Sequence, residues 1–334
     1  MLRIHFTSDD LQRIRLTRQP EPMWEVVCSL CRLQSREGAV FFGEWRRRSA
    51  AALARPRHEH ARAVLRPLVP LGPYIPDFLT PAESEVEPGG AIESVLGTSP
   101  HCLRHDLSVL GGHGTLPGWT SQLADGRPRT LDHLGAALHA YFDSVLAPVW
   151  QGLCEQVDAD VQLRIRQLVD GGSEALLLGL PTTRWEPPVL HLPYPADRDL
   201  RLAGRGLRLV PSYFCWRRVL TLVDQTLAPT LVYPVEKHAG ALIPPSAADR
   251  GAPTLPALLG RTRASLLASL TLRVGLSTSE LAHGVGVSLP SASQQIAVLR
   301  SAGLVTSRRD GKRVLHTATR LGCELVSRTG PFGD

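Results

Sequence analysis

The stretch LSTSELAHGVGVSLPSASQQIAVLRSAGLVTSRRDGKRVLHTAT, residues 276 to 319, carries two short helices, a turn and a basic hairpin in that order. Ser277 and Glu280 stand in S-x-x-E spacing, a capping box in which the hydroxyl accepts from one backbone N–H and the carboxylate from the other, so a helix starts here. It is short, because Gly284 and Gly286 break it, and Leu281, Ala282 and Val285 supply its apolar face. Ser288 is a second N-cap, with Pro290 in the first turn, where a missing N–H costs nothing. In the helix that follows, Ala292, Ile296 and Leu299 are spaced for burial. Leu289, Ser291, Ser293, Gln294 and Gln295 are left on or near the other face. Gly303 terminates it, and Leu304 to Ser307 and Arg313 to Thr317 read as strands around Asp310-Gly311, a strong hairpin dipeptide. Arg308, Arg309, Lys312 and Arg313 cluster at the tip.

Helix, turn, polar-faced helix and basic hairpin together resemble the winged helix-turn-helix of ArsR-type bacterial regulators. The resemblance extends to the preceding helix (LLGRTRASLLASL, 258 to 270), the Val-Ser-x-Pro start of the second helix (287 to 290) and the Val-Leu-Arg-x-Ala-Gly-Leu-Val run (298 to 305). It covers roughly 70 of 334 residues. It implies a DNA-binding transcriptional regulator in which Ser288, Leu289, Ser291, Ser293, Gln294, Gln295 and Arg300 face a double-stranded operator, while Arg308, Arg309, Lys312 and Arg313 grip its backbone. It also implies a homodimer that pairs through the helix near Leu258 to Leu270 and a short C-terminal helix, Arg320 to Ser327. One departure is informative. The metal sensors of that family carry an E-L-C-V-C type motif where this chain has Leu276 to Leu281 without cysteine, so no metal and no other cofactor is expected.

Charge divides unevenly along the chain. Residues 255 to 334 hold 10 Lys+Arg against 4 Asp+Glu, whereas the other 254 residues hold 27 of each, so the whole formal excess of +6 lies in the segment expected to meet phosphates. Arginine outnumbers lysine by 35 to 2 (Lys237 and Lys312), a bias that reads as a GC-rich bacterial genome. Six scattered cysteines form no disulfide framework, and Cys28-x-x-Cys31, inside an apolar helical pattern, reads as a buried helix face before a redox or metal pair. No apolar run reaches the roughly 18 residues of a membrane span and no basic-then-apolar leader follows Met1. The expectation is a soluble cytoplasmic protein without membrane contact.

At 334 residues two domains are expected: 1–235 as an α+β input domain, 236–256 as a linker and 257–328 as the winged helix, in a mixed α/β, mainly helical fold. Met1 to Phe6 alternates as an edge strand would. Met23 to Leu33, Ala39 to Ala54 and Pro56 to Leu68 read as helices, with Arg46-Arg47-Arg48 on a solvated face. Six prolines and the acidic Glu83, Glu85 and Glu87 make 67–90 a loop. Ile92 to Leu110 reads as one helix, in which His101 and His105 have metal-ligand spacing without a third ligand. Thr130 is expected to cap the longest helical stretch, interrupted at Pro148 and buried along Leu131, Leu134, Leu138, Tyr141, Phe142, Val145, Val149, Leu153 and Val157. From Pro187 to Pro234 short apolar runs split by turn residues read as strands and hairpins. Gly204 to Trp216 and Pro229 to Pro234 are similar to a region of large ArsR-type regulators that carry an uncharacterised α/β domain ahead of the winged helix. That similarity implies control by a small-molecule effector or partner. The contrasting expectations are an enzyme with an appended winged helix, against which no Gly-x-Ser-x-Gly, His-Glu-x-x-His, Walker A or strand-linked Gly-x-Gly-x-x-Gly pattern occurs, and a winged helix used only for protein contacts.

Overall fold

The computed structural model describes residues 1–72, 74–81, 87–224, 226–237, 242, 255–272, 275–310 and 313–329. The chain divides into two units, Met1–Pro244 and Pro245–Asp334. Most of the expected linker (238–241 and 243–254), together with Glu83, Glu85, Gly311 and Lys312, lies outside the described residues.

The first unit begins with β1 (Leu2–His5), α1 (Ser8–Gln12) and β2 (Arg15–Leu16). Helices follow: α2 (Pro22–Gln34), α3 (Ala39–Leu53), α4 (Glu59–Leu68), α5 (Pro88–Leu96), α6 (Pro100–Gly111), α7 (Trp119–Ala124), α8 (Pro128–Tyr141) and α9 (Trp150–Gly179). Six strands complete it: β3 (Arg184–Glu186), β4 (Val189–Leu192), β5 (Arg198–Arg201), β6 (Arg208–Ser212), β7 (Leu220–Thr221) and β8 (Thr230–Pro234). One sheet runs β3-β4-β1-β5 and the other β2-β6-β8-β7.

Four expectations are corrected. β1 is not an edge strand: it lies between β4, antiparallel, and β5, parallel, and both Leu2 and Ile4 are fully buried. β6 and β8 do not form a hairpin; they pair in parallel, as do β2 and β6, which requires a crossover. The region 92–110 is two helices, because Ser99 accepts from the Cys102 N–H as an N-cap and Pro100 opens a new helix. Thr130 is not the cap of α8, which starts at Pro128 with Arg127 before it; the Thr130 hydroxyl turns to Gln122 Oε1 at 3.5 Å. Pro148 has no N–H to continue a helix, and the chain crosses it through a π turn, Phe142–Leu146, and a 3-10 turn, Ala147–Val149. The apolar stripe is buried there as expected, except that Leu131 is half-buried.

Buried ionic groups tie this unit together across long sequence separations. Glu25 of α2, fully buried, accepts the backbone N–H groups of Tyr213 (2.7 Å) and Phe214 (3.0 Å) and the Ser212 hydroxyl (3.1 Å). Burial pushes its carboxyl up to about 7, against those hydrogen bonds, which favour the ionised form. Asp160 and Arg164 pair within α9, Tyr233 donates to Asp160 at 2.7 Å, and Arg164 reaches the carbonyl of Gly179 across the break at Gly171 and Gly172. Among the described residues no helix is long and apolar enough to cross a membrane, and no group of three His, Cys, Asp or Glu is placed to hold a metal ion.

The second unit comprises α10 (Leu255–Leu259), α11 (Arg261–Leu272), β9 (Leu276–Ser277), α12 (Thr278–Val285), α13 (Leu289–Ser301), β10 (Val305–Asp310), β11 (Arg313–Ala318) and α14 (Arg320–Thr329). The helix expected over 258–270 is split, because Gly260 takes φ +81°. Leu266, Leu267 and Leu270 of α11 pack with Leu281, Ile296, Leu299, Val305 and Val326 into a separate core. A Cβ at Gly322 would overlap the Leu304 carbonyl and come within 3.2 Å of Leu267, so only glycine lets α14 approach this closely.

Candidate nucleic-acid interface

Local chemistry fixes two helices, α12 and α13, and the second with its cap bears most of the candidate residues. The Ser277–Glu280 capping box is formed in both directions, with Ser277 Oγ accepting from Glu280 N at 3.3 Å and Glu280 Oε2 accepting from Ser277 N at 2.8 Å. Gly286, at φ +72°, ends α12 in the left-handed region, and the Val287 N–H bonds back to the Ala282 carbonyl at 3.0 Å. Only Gly286 to Ser288 separate α12 from α13, and Ser288 caps α13 by accepting from Ser291 N at 3.4 Å. Gly303, also at φ +72°, lets Leu304 N bond to Leu299 O at 2.9 Å and sends the chain into β10.

The faces of α13 follow from 100° per residue. Ala292, Ile296 and Leu299 are buried, while Ser288, Leu289, Ser293, Gln294 and Arg300 are exposed. Ser291 and Gln295 are half-buried, whereas Gln294 points almost directly away from the buried row. Ala297 and Ser301 share that outermost line with Gln294 and were absent from the sequence-based set, which selected on hydrogen-bonding side chains.

In the hairpin Arg308 pairs with Leu315, Arg309 with Val314 and Asp310 with Arg313. Directly opposed residues share a face and successive ones alternate, so Arg308 and Arg313 lie on one face and Arg309 on the other. All three arginines are exposed, and none makes an ion pair among the described residues; Lys312 lies outside them. Arg313 and Val314 form one wall of an open cleft of about 700 Å³, whose other walls are Ser277 to Glu280 and the start of α13, at Leu289, Pro290 and Ser293. Of the candidate residues the cleft gathers Leu289, Ser293 and Arg313; Gln294, Gln295, Arg300, Arg308 and Arg309 lie outside it.

No protein-family model matches the chain, and no solved structure matches it. The chain is 33% identical over 72 residues to the HTH-type transcriptional regulator YgaV of Escherichia coli (strain K12), a stretch that makes up 22% of this chain and 73% of that protein. The chain belongs to the HTH-type transcriptional regulators.

In this HTH-type regulator one positioning residue escapes sequence reading. His316 of β11 is buried, with Nε2 2.9 Å from Thr278 Oγ1 and Nδ1 2.8 Å from Ser307 Oγ, and so joins the start of α12 to both strands of the hairpin. Burial holds its pKa below the ordinary histidine value, with Arg300 adding to the effect. A histidine in an alternating, arginine-rich strand reads as one more polar position, and only its two hydroxyl partners distinguish it. The Ser277–Ser279 wall of the cleft escaped notice for a similar reason, since capping fully accounts for those residues in the sequence.

Proposed function

We propose that this chain is a sequence-specific transcriptional regulator of the ArsR type, binding double-stranded DNA through a winged helix-turn-helix. It has a regulatory and not a catalytic role. The observation that carries this reading is the pairing of two surfaces: an outer face of α13 with small and amide side chains beside exposed Leu289 and Val298, and an adjacent hairpin whose exposed arginines have no ion-pair partner among the described residues. Gln294 suits the major groove, where its amide can pair with adenine N6 and N7, and the arginines suit phosphates.

The regulator acts as a homodimer on a pseudo-palindromic operator, since one recognition helix covers too little DNA for operator-level affinity. Leu258 of α10 and Leu321 of α14 support this: both are 56% exposed, on neighbouring helices, and supply apolar surface for a second copy. The first unit acts as the input, controlled by a small-molecule effector or partner. The test is a mobility shift with the full chain on DNA flanking its own gene, with sedimentation of the complex. A retarded species with two chains per site, resistant to competing random DNA, is expected. A strictly monomeric chain with equal affinity for both DNAs would overturn the reading.

A further inference from the structure

The first unit contains a cleft of about 400 Å³, within the size range of small-molecule sites. It is assembled from α2, Leu71 and Gly72, Ile75 and Asp77, the turn at Tyr194 and the chain from Phe214 to Val223. Its walls are largely aromatic and aliphatic: Trp24, Phe214, Trp216, Tyr194, Ile75 and Leu220. Arg217, in the left-handed region at φ +59°, and Lys237 place cations 5.7 and 5.5 Å from the Trp216 ring.

The polar groups of this wall are unbalanced. Three N–H donors on lining residues are buried without an acceptor: the indole N–H of Trp24, the indole N–H of Trp216 and Nε–H of Arg32. Trp24 is only 3% exposed, so its donor is withdrawn from bulk water. A buried donor without a partner costs roughly 1–3 kcal/mol, so an acceptor brought to these lining residues by a ligand would be favoured. Neither of the wall's own carboxylates, Asp77 and Glu37, accepts from these three donors. Asp77 takes the backbone N–H groups of Val223 and Asp224, and Glu37 pairs with Arg32 Nη1 at 3.4 Å. Two of the lining thiols, Cys28 and Cys31, add no negative charge. Cys215 Sγ donates to the Arg218 carbonyl at 3.1 Å, its hydrogen bond to Cys28 and burial raise the Cys28 pKa, and burial pushes Cys31 up to about 11. Arg217 and Arg218 stand exposed on the same lining.

We infer that this cleft binds a small planar organic acid, its ring against Trp24, Phe214 and Trp216 and its carboxylate on Arg32 and the two indole N–H groups. This names the effector chemistry for the input role proposed above and rests on that reading only for its consequence at DNA.

The experiment uses the full chain and two probes of equal ring size, 1-naphthoate and the neutral 1-naphthalenemethanol, titrated calorimetrically at neutral pH. The acid is expected to bind once per chain and about tenfold more tightly than the alcohol, as befits a charge-assisted hydrogen bond. Trp24→Phe, which keeps a ring and deletes the N–H, is expected to weaken the acid severalfold and leave the alcohol unchanged. Arg32→Gln should largely abolish the preference for the acid. Absence of saturable binding by the acid, equal affinity for acid and alcohol, or an unchanged preference in a folded Trp24→Phe chain would each overturn the inference. A mobility shift with and without 1-naphthoate separates the two readings: binding without any change in DNA affinity upholds the cleft and removes its role as the input.

Discussion

In the Met1–Pro244 unit Asp10, Glu25, Asp77, Asp106, Asp160 and Arg164 are all buried, whereas among the described residues of the Pro245–Asp334 unit no Asp, Glu, Lys or Arg is. The first unit is electrically neutral overall and spends its ions internally, each on a backbone or side-chain partner distant in sequence. The second carries the net positive charge, and among its described residues Arg300, Arg308, Arg309, Arg313 and Arg320 are exposed. Charge inside a low-dielectric interior fixes geometry, because a missing partner is heavily penalised; charge on a surface leaves stability almost untouched and shapes long-range attraction. The two halves therefore differ in what a charge-deleting mutation should do.

The sharpest way to break this comparison is Glu25→Ala. It leaves two backbone N–H groups and the Ser212 hydroxyl without their shared acceptor, and should cost about 3–5 kcal/mol of stability. All six tryptophans lie within residues 1–244, so the loss is read from tryptophan fluorescence during denaturant unfolding. A cost below about 1 kcal/mol would show that the buried carboxylate is not structural.

Next in size is Gln294→Ala, expected to remove roughly 1–3 kcal/mol on cognate DNA and little on random DNA, with an unchanged unfolding midpoint. Gln295→Ala, at a half-buried position, should cost less specificity. Titration of both DNAs decides, and equal losses on the two would displace Gln294 from the groove. Smaller still, Arg309→Ala or Arg313→Ala should weaken both DNAs alike and lower the slope of log K against log salt by about one, with stability within about 0.5 kcal/mol of the parent. An unaltered salt slope would remove that arginine from the phosphates.

The smallest effect concerns His316. Its folded pKa lies below the ordinary 6.5, so the unfolded chain takes up the proton first, and the stability gained by keeping the ring neutral is complete above about pH 6.5 and declines as pH falls below it. The part of the far-UV circular dichroism transition that tryptophan fluorescence does not follow should move to lower temperature on acidification. His316→Gln should flatten that dependence.

What could be read in the sequence is what neighbours in the chain decide. Ser277 with Glu280, Ser288 with Pro290, and Gly303 each act within about one turn, and α12, α13 and the start of β10 fall where those residues place them. Hidden from that reading was everything set by distant partners. The alternation of Met1 to Phe6 revealed a strand but not that Val189 to Leu192 and Arg198 to Arg201 flank it on both sides. The parallel pairing of β6 with β8 depends on a crossover that no dipeptide announces. On α13 the period separated Gln294 from the core correctly but could not say how far neighbouring elements would cover Gln295. The cleft of the first unit joins α2 to residues nearly two hundred positions later, and its only trace in sequence was the Cys28-x-x-Cys31 spacing.

Gly322 has a bearing on how such a protein can change over generations. Every replacement there adds a Cβ where the Leu304 carbonyl already stands, so selection on that position acts through packing alone. The exposed line of α13 at Gln294, Ala297 and Ser301 carries no such packing constraint, and under the proposed DNA-reading role it is free to drift toward new targets. Because the two lie on different helices, target choice can diverge among descendants while the contact that seats α14 stays frozen.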